Sequence, residues 1–483
     1  MSVKVYLEKR ECFTYPCSGD YFSPHISYPE YPFSKETLSS RANEVYDMVR
    51  ASLFGMGLDR ENYGNEMWNP LGNYVKPNSY ILLKPNFVTH TNSIGGLDCT
   101  VTHPSIIRCI IDYCVIAKAK AIEIGDAPIQ NCDFDKLMNI HGYNRLFDFI
   151  KRQRVNFFIS DFRKTISEVP VKGTLLQRKN SNIDDKTIEF DLKNLSHFHD
   201  ISGNHKYRVA NYHDSALNAR HNKEHHKYLI TRSVLTADLI INLPKPKTHR
   251  FAGITGAQKN FIGICSDKEY LPHYRAGIPD NGGDESNSQN KLANIISILN
   301  QQRCKYIEKR NLGMQLLYRF LMTGVKKIQK ITGNGQQFTV GQWHGNDTIW
   351  RTILDLNLIL LYGNTNGSLD IKSTARNILT IGDVIIAGEK SGPLEPSPKP
   401  LGIILASNNC TVFDYVFCKI TGFDYNLIPS VRYSMTNEFL LKDYPNKISM
   451  YSNINDFDDV PLDSLVFPKE WKFIPNSLWA DVL

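Results

Sequence analysis

The feature that most constrains the fold is a pair of short apolar runs separated by a segment with helical spacing. The runs SYILLKPNF (79–87) and AIEIGDAP (121–128) are each long enough for one buried strand. Between them, proline suits the first turn of a helix at Thr102-His103-Pro104, and apolar residues recur at helical spacing from 106 to 114. Because strand–helix–strand crossovers are right-handed, the two strands are predicted to be parallel.

Further apolar runs predict more strands of the same sheet, at 155–160, 237–244, 383–388 and 401–407. Helices are predicted from about Asp347 to Tyr362 and from Cys410 to Thr421. Strands that are apolar on both faces and alternate with helices are typical of α/β domains. We therefore predict an α/β fold with a doubly wound, mostly parallel sheet and helices on both faces.

The other segments divide the chain into three predicted parts. Residues 1–78 are an arm rich in aromatic residues and proline, followed by a helix. Residues 79–425 form the α/β domain, and residues 426–483 form a C-terminal extension. The domain carries a polar insertion at about 163–226 and a helical insertion at about 290–332.

Two further helices are predicted, one in the N-terminal arm and one in the helical insertion. The first has Ser34 as its N-cap and carries apolar residues from Leu38 to Leu53 on one face. The second, at 306–330, includes GMQLLYRFLMTGVKKIQK and has a basic end. Such a helix could make a peripheral contact with a membrane surface. The alternative is an amphipathic helix packed on its own domain.

Composition excludes several function classes. The 56 Lys and Arg residues exceed the 49 Asp and Glu residues by only 7 over 483 residues, which permits an anionic ligand without requiring nucleic acid. Basic and aromatic residues do not alternate as in RNA-binding sheets, so we expect no nucleic-acid partner. The ten cysteines include no CxxC pair, which disfavours an iron–sulfur cluster. The chain has no apolar run of about 18 residues and no secretory signal, so we expect a cytoplasmic protein.

Polar residues that follow the predicted strands are the candidate site. In an open parallel sheet, ligands bind beyond the carboxyl ends of the strands. The residues in these positions are Lys84, Asn86, His103, Asp126, Lys245, Lys247, His249 and Glu389.

The segment PKPKTHRFAGITGAQKNFIG (244–263) is the most informative part of this set. Alternation along an extended chain would place Lys245 and Lys247 on the same side, aimed at one anion. The glycine-rich turn then enters a helix that carries Lys259 and Asn260, and its backbone N–H groups would suit phosphate or carboxylate. The alternative is a solvated basic loop, and spacing alone does not decide between them.

A divalent cation is a second possibility for this edge. His273, Asp284 and Glu389 are the candidate ligands, and His249 and Asp126 offer further nitrogen and oxygen donors. Their spacing matches neither HxH nor HExxH, and turn formation is the alternative.

Two polar segments have ordinary structural explanations. Seven of the fourteen histidines lie between His197 and His226, and their irregular spacing favours surface histidines over one designed site. Asp347 is predicted to cap a helix in which Arg351 and Asp355 form an i,i+4 ion pair. The functional alternative directs Arg351 to an anionic ligand.

Several segments together resemble the DUF362 family, whose name records that its function is undefined. They span roughly residues 79–425 and are LLKPNFVTH, VTHPSII, IEIGDAP, DLIINLPKPKTHRFAGITGAQKNFIG, LPHYRAG, GGDE, GNDTIWR and DVIIAGEKSGPLEPSPK. Many relatives carry ferredoxin-like cysteine motifs that this chain lacks, so the resemblance does not imply iron–sulfur electron transfer here. The long form with GNDTIWR is similar to members associated with bacterial surface-polysaccharide gene clusters, which implies a role in that biosynthesis.

The polar positions that match the family's motifs include those found at the strand ends. The full set is Lys84, Asn86, His103, Asp126, Lys245, Lys247, His249, Lys259, Asn260, His273, Asp284, Asn346, Asp347, Arg351, Asp383, Glu389 and Asp414. For Asp383, which begins a predicted strand, and Asp414, which lies within a predicted helix, a structural role is the alternative.

These observations lead to one functional hypothesis and one alternative. The hypothesis is an enzyme that binds a phosphate- or carboxylate-bearing small molecule through the predicted lysines, Asn86, Asn260 and Arg351. His249 or His103 would act as general acid or base, because imidazole titrates near neutral pH, and Asp126 would orient the substrate. The alternative is a noncatalytic binding or assembly protein that contacts a membrane through 306–330.

Overall fold

The computed structural model describes residues 2–180, 183, 186–201, 203, 206–286, 291–331, 340–441 and 447–483. Its strands are β1 (Val5–Lys9), β2 (Tyr80–Pro85), β3 (Ala121–Asp126), β4 (Phe157–Asp161), β5 (Thr165–Glu168), β6 (Leu176–Lys179), β7 (Thr187–Asp191), β8 (Tyr207–Arg208), β9 (Lys227–Thr231), β10 (Leu239–Leu243), β11 (Lys247–His249), β12 (Gly253–Thr255), β13 (Tyr274–Arg275), β14 (Ile378–Glu389), β15 (Ser397–Ser407), β16 (Ser449–Ser452) and β17 (Val460–Pro461). Its α-helices are α1 (Glu44–Gly55), α2 (Pro104–Ile116), α3 (Phe134–Ile140), α4 (Tyr143–Arg152), α5 (Asp214–Arg220), α6 (Arg232–Thr236), α7 (Ala257–Asn260), α8 (Lys291–Glu308), α9 (Leu312–Ile331), α10 (Ile349–Tyr362), α11 (Cys410–Thr421) and α12 (Pro429–Met435).

The largest sheet contains 11 strands, nine of them in the order β17-β16-β1-β15-β14-β10-β2-β3-β4. From β14 to β4 every neighbouring pair is parallel. The crossover β2–α2–β3 is the unit expected from sequence, and Ile81 lies opposite Ile122 in its parallel ladder. β14 and β15 are antiparallel, because the short connection between them can close a hairpin but not a crossover. The predicted α/β fold with a mostly parallel sheet is confirmed.

Helices cover both faces of this sheet. Successive side chains of β2 point to opposite faces of the sheet. Ile81 and Leu83 pack in one apolar cluster, and Leu82 packs in another. The first cluster contains residues of α1, α2 and α4, and the second contains residues of α6 and α10. A third cluster joins β15 to α11, α12 and the C-terminal segment. The parallel strands are therefore buried on both sides, which is why they read as continuous apolar runs.

The sheet includes strands from both ends of the chain. β1 pairs antiparallel with β15 and parallel with β16. The sheet thus contains residues from all three predicted parts of the chain, and the boundaries near residues 78 and 425 stay predictions.

The helix of the N-terminal arm begins later than the sequence predicts. Ser34 caps only a single 3-10 turn, Lys35–Thr37. The α-helix starts at Glu44, where the Asn43 side chain accepts a hydrogen bond from the Tyr46 N–H. The same Asn43 amide donates to two carbonyl groups of the arm, so a tertiary contact determines where the helix begins.

The two predicted insertions contain separate small elements. Residues 163–226 include the β5–β6 hairpin, β7, β8 and α5. Residues 290–332 include all of α8 and α9, and positions 290 and 332 themselves lie outside the described residues. No helix in the described ranges is long and apolar enough to cross a bilayer.

Candidate functional site

A cavity of about 340 Å³ lies beyond the carboxyl ends of β2, β3 and β10, and we call it the lysine cavity. Its volume is in the range of small-molecule sites. Apolar side chains such as Ile129 and Phe251 form part of its wall. It is lined by seven of the residues expected from sequence, namely Asn86, Asp126, Lys247, His249, Lys259, Asn260 and His273.

Three lysines line this cavity, and none of them has a carboxylate partner within the described ranges of the chain. Lys247 lies in β11 and is fully buried, whereas Lys259 in α7 and Lys268 are half-buried. The Lys247 ammonium group donates to Asn86 Oδ1 and to the Lys245 carbonyl, each at 2.8 Å. Across the described part of the chain, no ion pair joins any of the three to an Asp or Glu. The cavity wall therefore carries three basic groups whose charge, when they are protonated, no carboxylate of the described residues balances.

Burial shifts the pKa values of these lysines downward, because a charged group is disfavoured away from water. Burial, followed by repulsion from Lys245, holds the pKa of Lys247 well below its usual value. Burial and then the charge of Lys268 lower the pKa of Lys259 to about 7. The pKa of Lys268 is lowered chiefly by burial. An anion in the cavity would favour the protonated form of all three.

The two histidines of the cavity are uncharged at neutral pH but differ in their ring protons. Burial lowers the pKa of His273 to about 3 and that of His249 well below its usual value. His249 Nδ1 accepts hydrogen bonds from the Phe251 and Ala252 N–H groups, so the ring proton resides on Nε2. His273 Nδ1 lies 2.7 Å from the Leu271 carbonyl and donates to it, which leaves Nε2 as an acceptor. The pair thus combines one donor with one acceptor.

A chain of asparagines holds the floor of the cavity together. Asn86 Nδ2 donates to Asn260 Oδ1 at 2.9 Å, and Asn260 Nδ2 donates to Asn242 Oδ1 at 2.8 Å. Asn260 Nδ2 also donates to the Lys84 carbonyl. These contacts connect β2, β10 and α7 and fix the Asn86 oxygen that accepts from Lys247.

Lys84 and Asp126 form an ion pair beside the cavity. The Lys84 ammonium group lies 2.7 Å from Asp126 Oδ1, and the other carboxylate oxygen accepts from the Phe87 N–H. Gly263 leaves the space for this pair, because a Cβ atom there would lie 1.9 Å from Asp126 Oδ1. The structure thus uses Lys84 and Asp126 to join β2 and β3, with Gly263 packed closely against the pair.

The backbone N–H groups at the start of α7 are not available to a ligand. The Asp414 carboxylate accepts from the N–H groups of Ala257 and Gln258. Gly256 permits this approach, since a Cβ atom would lie 1.9 Å from Asp414 Oδ1. The expectation that this turn exposes donors to an anion is therefore wrong, because a carboxylate of α11 occupies them.

Lys245 does not line the lysine cavity. Its ammonium group lies 3.0 Å from Asp383 Oδ2 and 2.6 Å from the Tyr15 hydroxyl, and all three polar groups are buried together. Tyr15 also donates to the other oxygen of Asp383. β11 begins only at Lys247, so regular strand alternation does not extend back to Lys245. The two lysines consequently have different partners.

His103 lies at a different cavity, lined also by Asp98, His141 and Arg145. It is the N-cap of α2, and its Nδ1 accepts from the Ser105 N–H. Its ring stacks on Tyr15 at a centroid distance of 3.9 Å. The structure does not bring His103 together with His249.

Arg351 is held away from the lysine cavity by Asp347. The guanidinium group lies 3.0 Å from Asp347 Oδ2, and the expected ion pair with Asp355 does not form. Asp355 instead accepts from His197, Ser196 and Tyr228. The predicted Arg351–Asp355 pair is wrong because the polar insertion packs its own donors onto Asp355.

Asn346, not Asp347, satisfies the first turn of α10. Its side-chain oxygen accepts from the N–H groups of Thr348 and Ile349. The Asp347 carboxylate is instead bound by Arg275 and Arg351. The N-cap position itself is Thr348, so the prediction of Asp347 as the cap is wrong.

The structure does not bring the predicted cation ligands together. His273 lines the lysine cavity, whereas Asp284 accepts from Thr348 Oγ1 and from the Asp347 N–H. Glu389 accepts from the Ile474 N–H. Over the residues that the structure describes, a different set is the one with three His, Cys, Asp or Glu ligand atoms within 4.8 Å of one another: Asp98, His103 and His141.

Two histidines of the polar insertion are buried, contrary to expectation. His221 and His226 are each 1% exposed. His226 stacks on Phe198, and His221 packs edge-on against Tyr228. Aromatic packing inside the insertion explains this burial, and His205 lies outside the described residues.

The strand-end rule misses Lys268. This residue begins the 3-10 turn Lys268–Tyr270 rather than following a strand, and the tertiary fold brings it to the cavity. The sequence signal nearest to it is LPHYRAG, which begins three residues later and contains His273.

A family model settles the affiliation of the chain. The model described as Domain of unknown function (DUF362) matches residues 81–192 and 191–419, well over half of the sequence. The chain belongs to the DUF362 family. All of the residues that line the lysine cavity lie within the span matched to DUF362. No curated protein matches this DUF362 chain.

Proposed function

We propose that this DUF362 protein is an enzyme whose substrate is an anionic small molecule, bearing phosphate or carboxylate, that binds in the lysine cavity. The observation that carries the proposal is the convergence of Lys247, Lys259 and Lys268 on one cavity, with no carboxylate partner for any of them among the described residues. A cytoplasmic location and a role in surface-polysaccharide biosynthesis remain predictions.

The energetic argument concerns unpaired charge. Placing an ammonium group in a protein interior costs several kcal/mol unless another charge compensates it. Elsewhere at the same edge of the sheet, the protein supplies that charge, with Asp126 for Lys84 and Asp383 for Lys245. A bound phosphate or carboxylate would supply it for the three cavity lysines.

The histidines give the site one hydrogen-bond donor and one hydrogen-bond acceptor. His249 presents Nε2–H, and His273 presents an unprotonated Nε2. We assign His249 as a hydrogen-bond donor and His273 as a hydrogen-bond acceptor for the substrate, with Lys247 and Lys259 holding the anion. Asp126 is assigned a structural role, because both of its oxygens are engaged by Lys84 and the Phe87 N–H.

The test compares a charged ligand with its neutral counterpart. Glucose 1-phosphate, citrate and inorganic phosphate are the probes, and glucose is the neutral control. We expect the phosphorylated sugar, but not glucose, to raise the Tm and to give a measurable Kd by calorimetry.

Matched lysine variants locate the binding. Lys247→Met and Lys259→Met should each weaken glucose 1-phosphate binding by about tenfold or more, the effect of losing one charge-assisted contact. Lys151→Met, which removes an exposed lysine of α4, should bind as the wild type does. Equal affinity in all three variants, or equal affinity for glucose, would show that the lysine cavity is not an anion site.

A second candidate function is peripheral binding to an anionic membrane. On α9, Leu317, Phe320, Ile328 and Ile331 recur at helical spacing and are 46%, 76%, 52% and 83% exposed. Lys326 and Lys327 are exposed on the same helix. This combination of apolar and basic residues suits a bilayer rich in anionic headgroups.

Sedimentation with vesicles tests this second candidate. The protein should co-sediment with vesicles that contain phosphatidylserine at low salt. It should co-sediment only weakly with phosphatidylcholine vesicles. Phe320→Ser should reduce the bound fraction severalfold, whereas Phe158→Ser, at an exposed site of β4, should not. Failure of the wild type to sediment with anionic vesicles would exclude this function.

A further inference from the structure

We propose that Asp98, His103 and His141 form a binding site for a divalent transition-metal ion. One ligand atom from each residue lies within 4.8 Å of the corresponding atoms of the other two. None of the three lines the lysine cavity, so the inference is independent of the anion proposal.

Three separate segments supply the ligands. Asp98 lies in the loop after β2, His103 is the N-cap of α2, and His141 is the C-cap of α3. The two imidazole rings are 5.1 Å apart, with an angle of 80° between their planes. Residues from loops and helix ends therefore converge on one point at the edge of the sheet.

The His103 ring is held in place by its neighbours. Its Nδ1 lies 2.7 Å from Ser105 Oγ, and its face stacks on Tyr15. Metal binding through Nε2 requires the tautomer in which Nδ1 donates to Ser105 Oγ in place of accepting from the Ser105 N–H. A hydrogen bond to the far nitrogen is how proteins commonly orient a metal-binding histidine.

His141 provides the second, independent observation. Its side chain is only 10% exposed, and its Nε2 is buried without a hydrogen-bond partner among the described residues. This nitrogen lies 3.7 Å from Asp98 Oδ1, which is too long for a hydrogen bond. A buried ring nitrogen without a hydrogen-bond partner is unfavourable. A metal ion between this nitrogen and Asp98 would bind both groups and provide the partner.

The local charges are compatible with a cation. The nearest buried ammonium group, that of Lys245, is compensated by Asp383. Arg145 is engaged with Ser18 at the cavity wall.

The ligand types indicate which metals suit the site. Two imidazoles and one carboxylate are a set typical of Zn²⁺ and of non-haem Fe²⁺. A cavity of about 280 Å³ adjoins the three side chains, and Asp98 is half-exposed at its edge. Solvent or a small ligand would therefore complete the coordination.

Zinc titration of the metal-free protein tests the inference. We expect calorimetry to show one equivalent of Zn²⁺ per chain, and Co²⁺ bound at the same site to give visible absorption bands. His141→Ala should weaken Zn²⁺ binding by at least tenfold and abolish those bands. His199→Ala, which removes an exposed histidine, should leave both unchanged.

Asp98→Asn is the second variant, because it changes a half-exposed side chain and should not disturb the core. It should also weaken Zn²⁺ binding at least tenfold while the Tm of the metal-free protein stays the same. Wild-type protein that binds no zinc would overturn the site. Undiminished binding by His141→Ala and Asp98→Asn would do the same.

Discussion

Two groups of lysines at the carboxyl end of the sheet differ in how their charge is balanced. Lys84 and Lys245 each lie within 3.0 Å of a buried carboxylate. Lys247, Lys259 and Lys268 line a cavity and have no such partner among the described residues. The first group joins segments of the fold, and the second leaves positive charge for a ligand. Position after a strand is therefore not sufficient to assign a function to a lysine.

The largest expected effect comes from breaking a compensated pair. Asp383→Asn would leave the Lys245 ammonium group buried without a counter-charge and should lower the free energy of unfolding by about 3–5 kcal/mol. Urea denaturation measures this loss. Glu224→Gln, at an exposed position, should change it by no more than about 0.5 kcal/mol. A variant as stable as the wild type would remove the distinction between the two groups of lysines.

A smaller loss of stability is expected when one added methyl group displaces the Lys84–Asp126 pair. Gly263→Ala places a Cβ atom 1.9 Å from Asp126 Oδ1 and 2.9 Å from the Lys84 ammonium nitrogen. Overpacking of this kind should lower the free energy of unfolding by about 1–3 kcal/mol. The control is Gly324→Ala in α9, where the added Cβ meets open space and helix propensity should raise stability by up to about 1 kcal/mol. Equal effects of the two substitutions in urea denaturation would contradict this account.

The pH dependence of anion binding tests the charge of the second group. Lys259, with a pKa of about 7, is mostly protonated at pH 6 and mostly neutral at pH 8. An anion prefers the protonated form, so the affinity should fall as the pH rises, by about tenfold between pH 6 and 8. Sulfate is the probe because its own charge is constant over this range. Lys259→Met should bind sulfate weakly, with a flatter pH profile measured by calorimetry.

The smallest expected change concerns stability without ligand. Lys247→Met removes an unpaired buried charge but also the hydrogen bond to Asn86, so the two effects should offset to within about 1 kcal/mol. Urea denaturation of the ligand-free variant measures the net change in the free energy of unfolding. A loss as large as that expected for Asp383→Asn would mean that Lys247 serves the fold rather than a ligand.

Much of the fold follows from local patterns in the sequence. The β2–α2–β3 unit was recognisable because its strands are apolar on both faces and its helix has regular spacing. The bounds of α11 match the predicted Cys410–Thr421 helix, which ends at Gly422. The start of α1 was not recognisable, because the arm contacts made by Asn43 determine it.

The candidate site was less predictable, because its charges are balanced by residues distant in sequence. Asp383 and Tyr15, which bind Lys245, lie 368 positions apart from each other. Similarly, Asp414 occupies the N–H groups of Ala257 from 157 residues away. Local spacing shows that a residue can bind an anion, but it does not show whether the protein has already supplied one.

The position of β1 has a consequence for how the protein forms during synthesis. This strand is flanked by β15 and β16, and the Ser452 hydroxyl of β16 donates to the Leu7 carbonyl across 445 positions of sequence. Because both partner strands lie about 400 residues or more after β1, this strand is synthesised first and stays unpaired until β15 and β16 have been translated. In nascent chains whose synthesis is halted before β15, β1 should stay accessible to proteases and chaperones. It should become protected only after β15 and β16 have emerged from the ribosome.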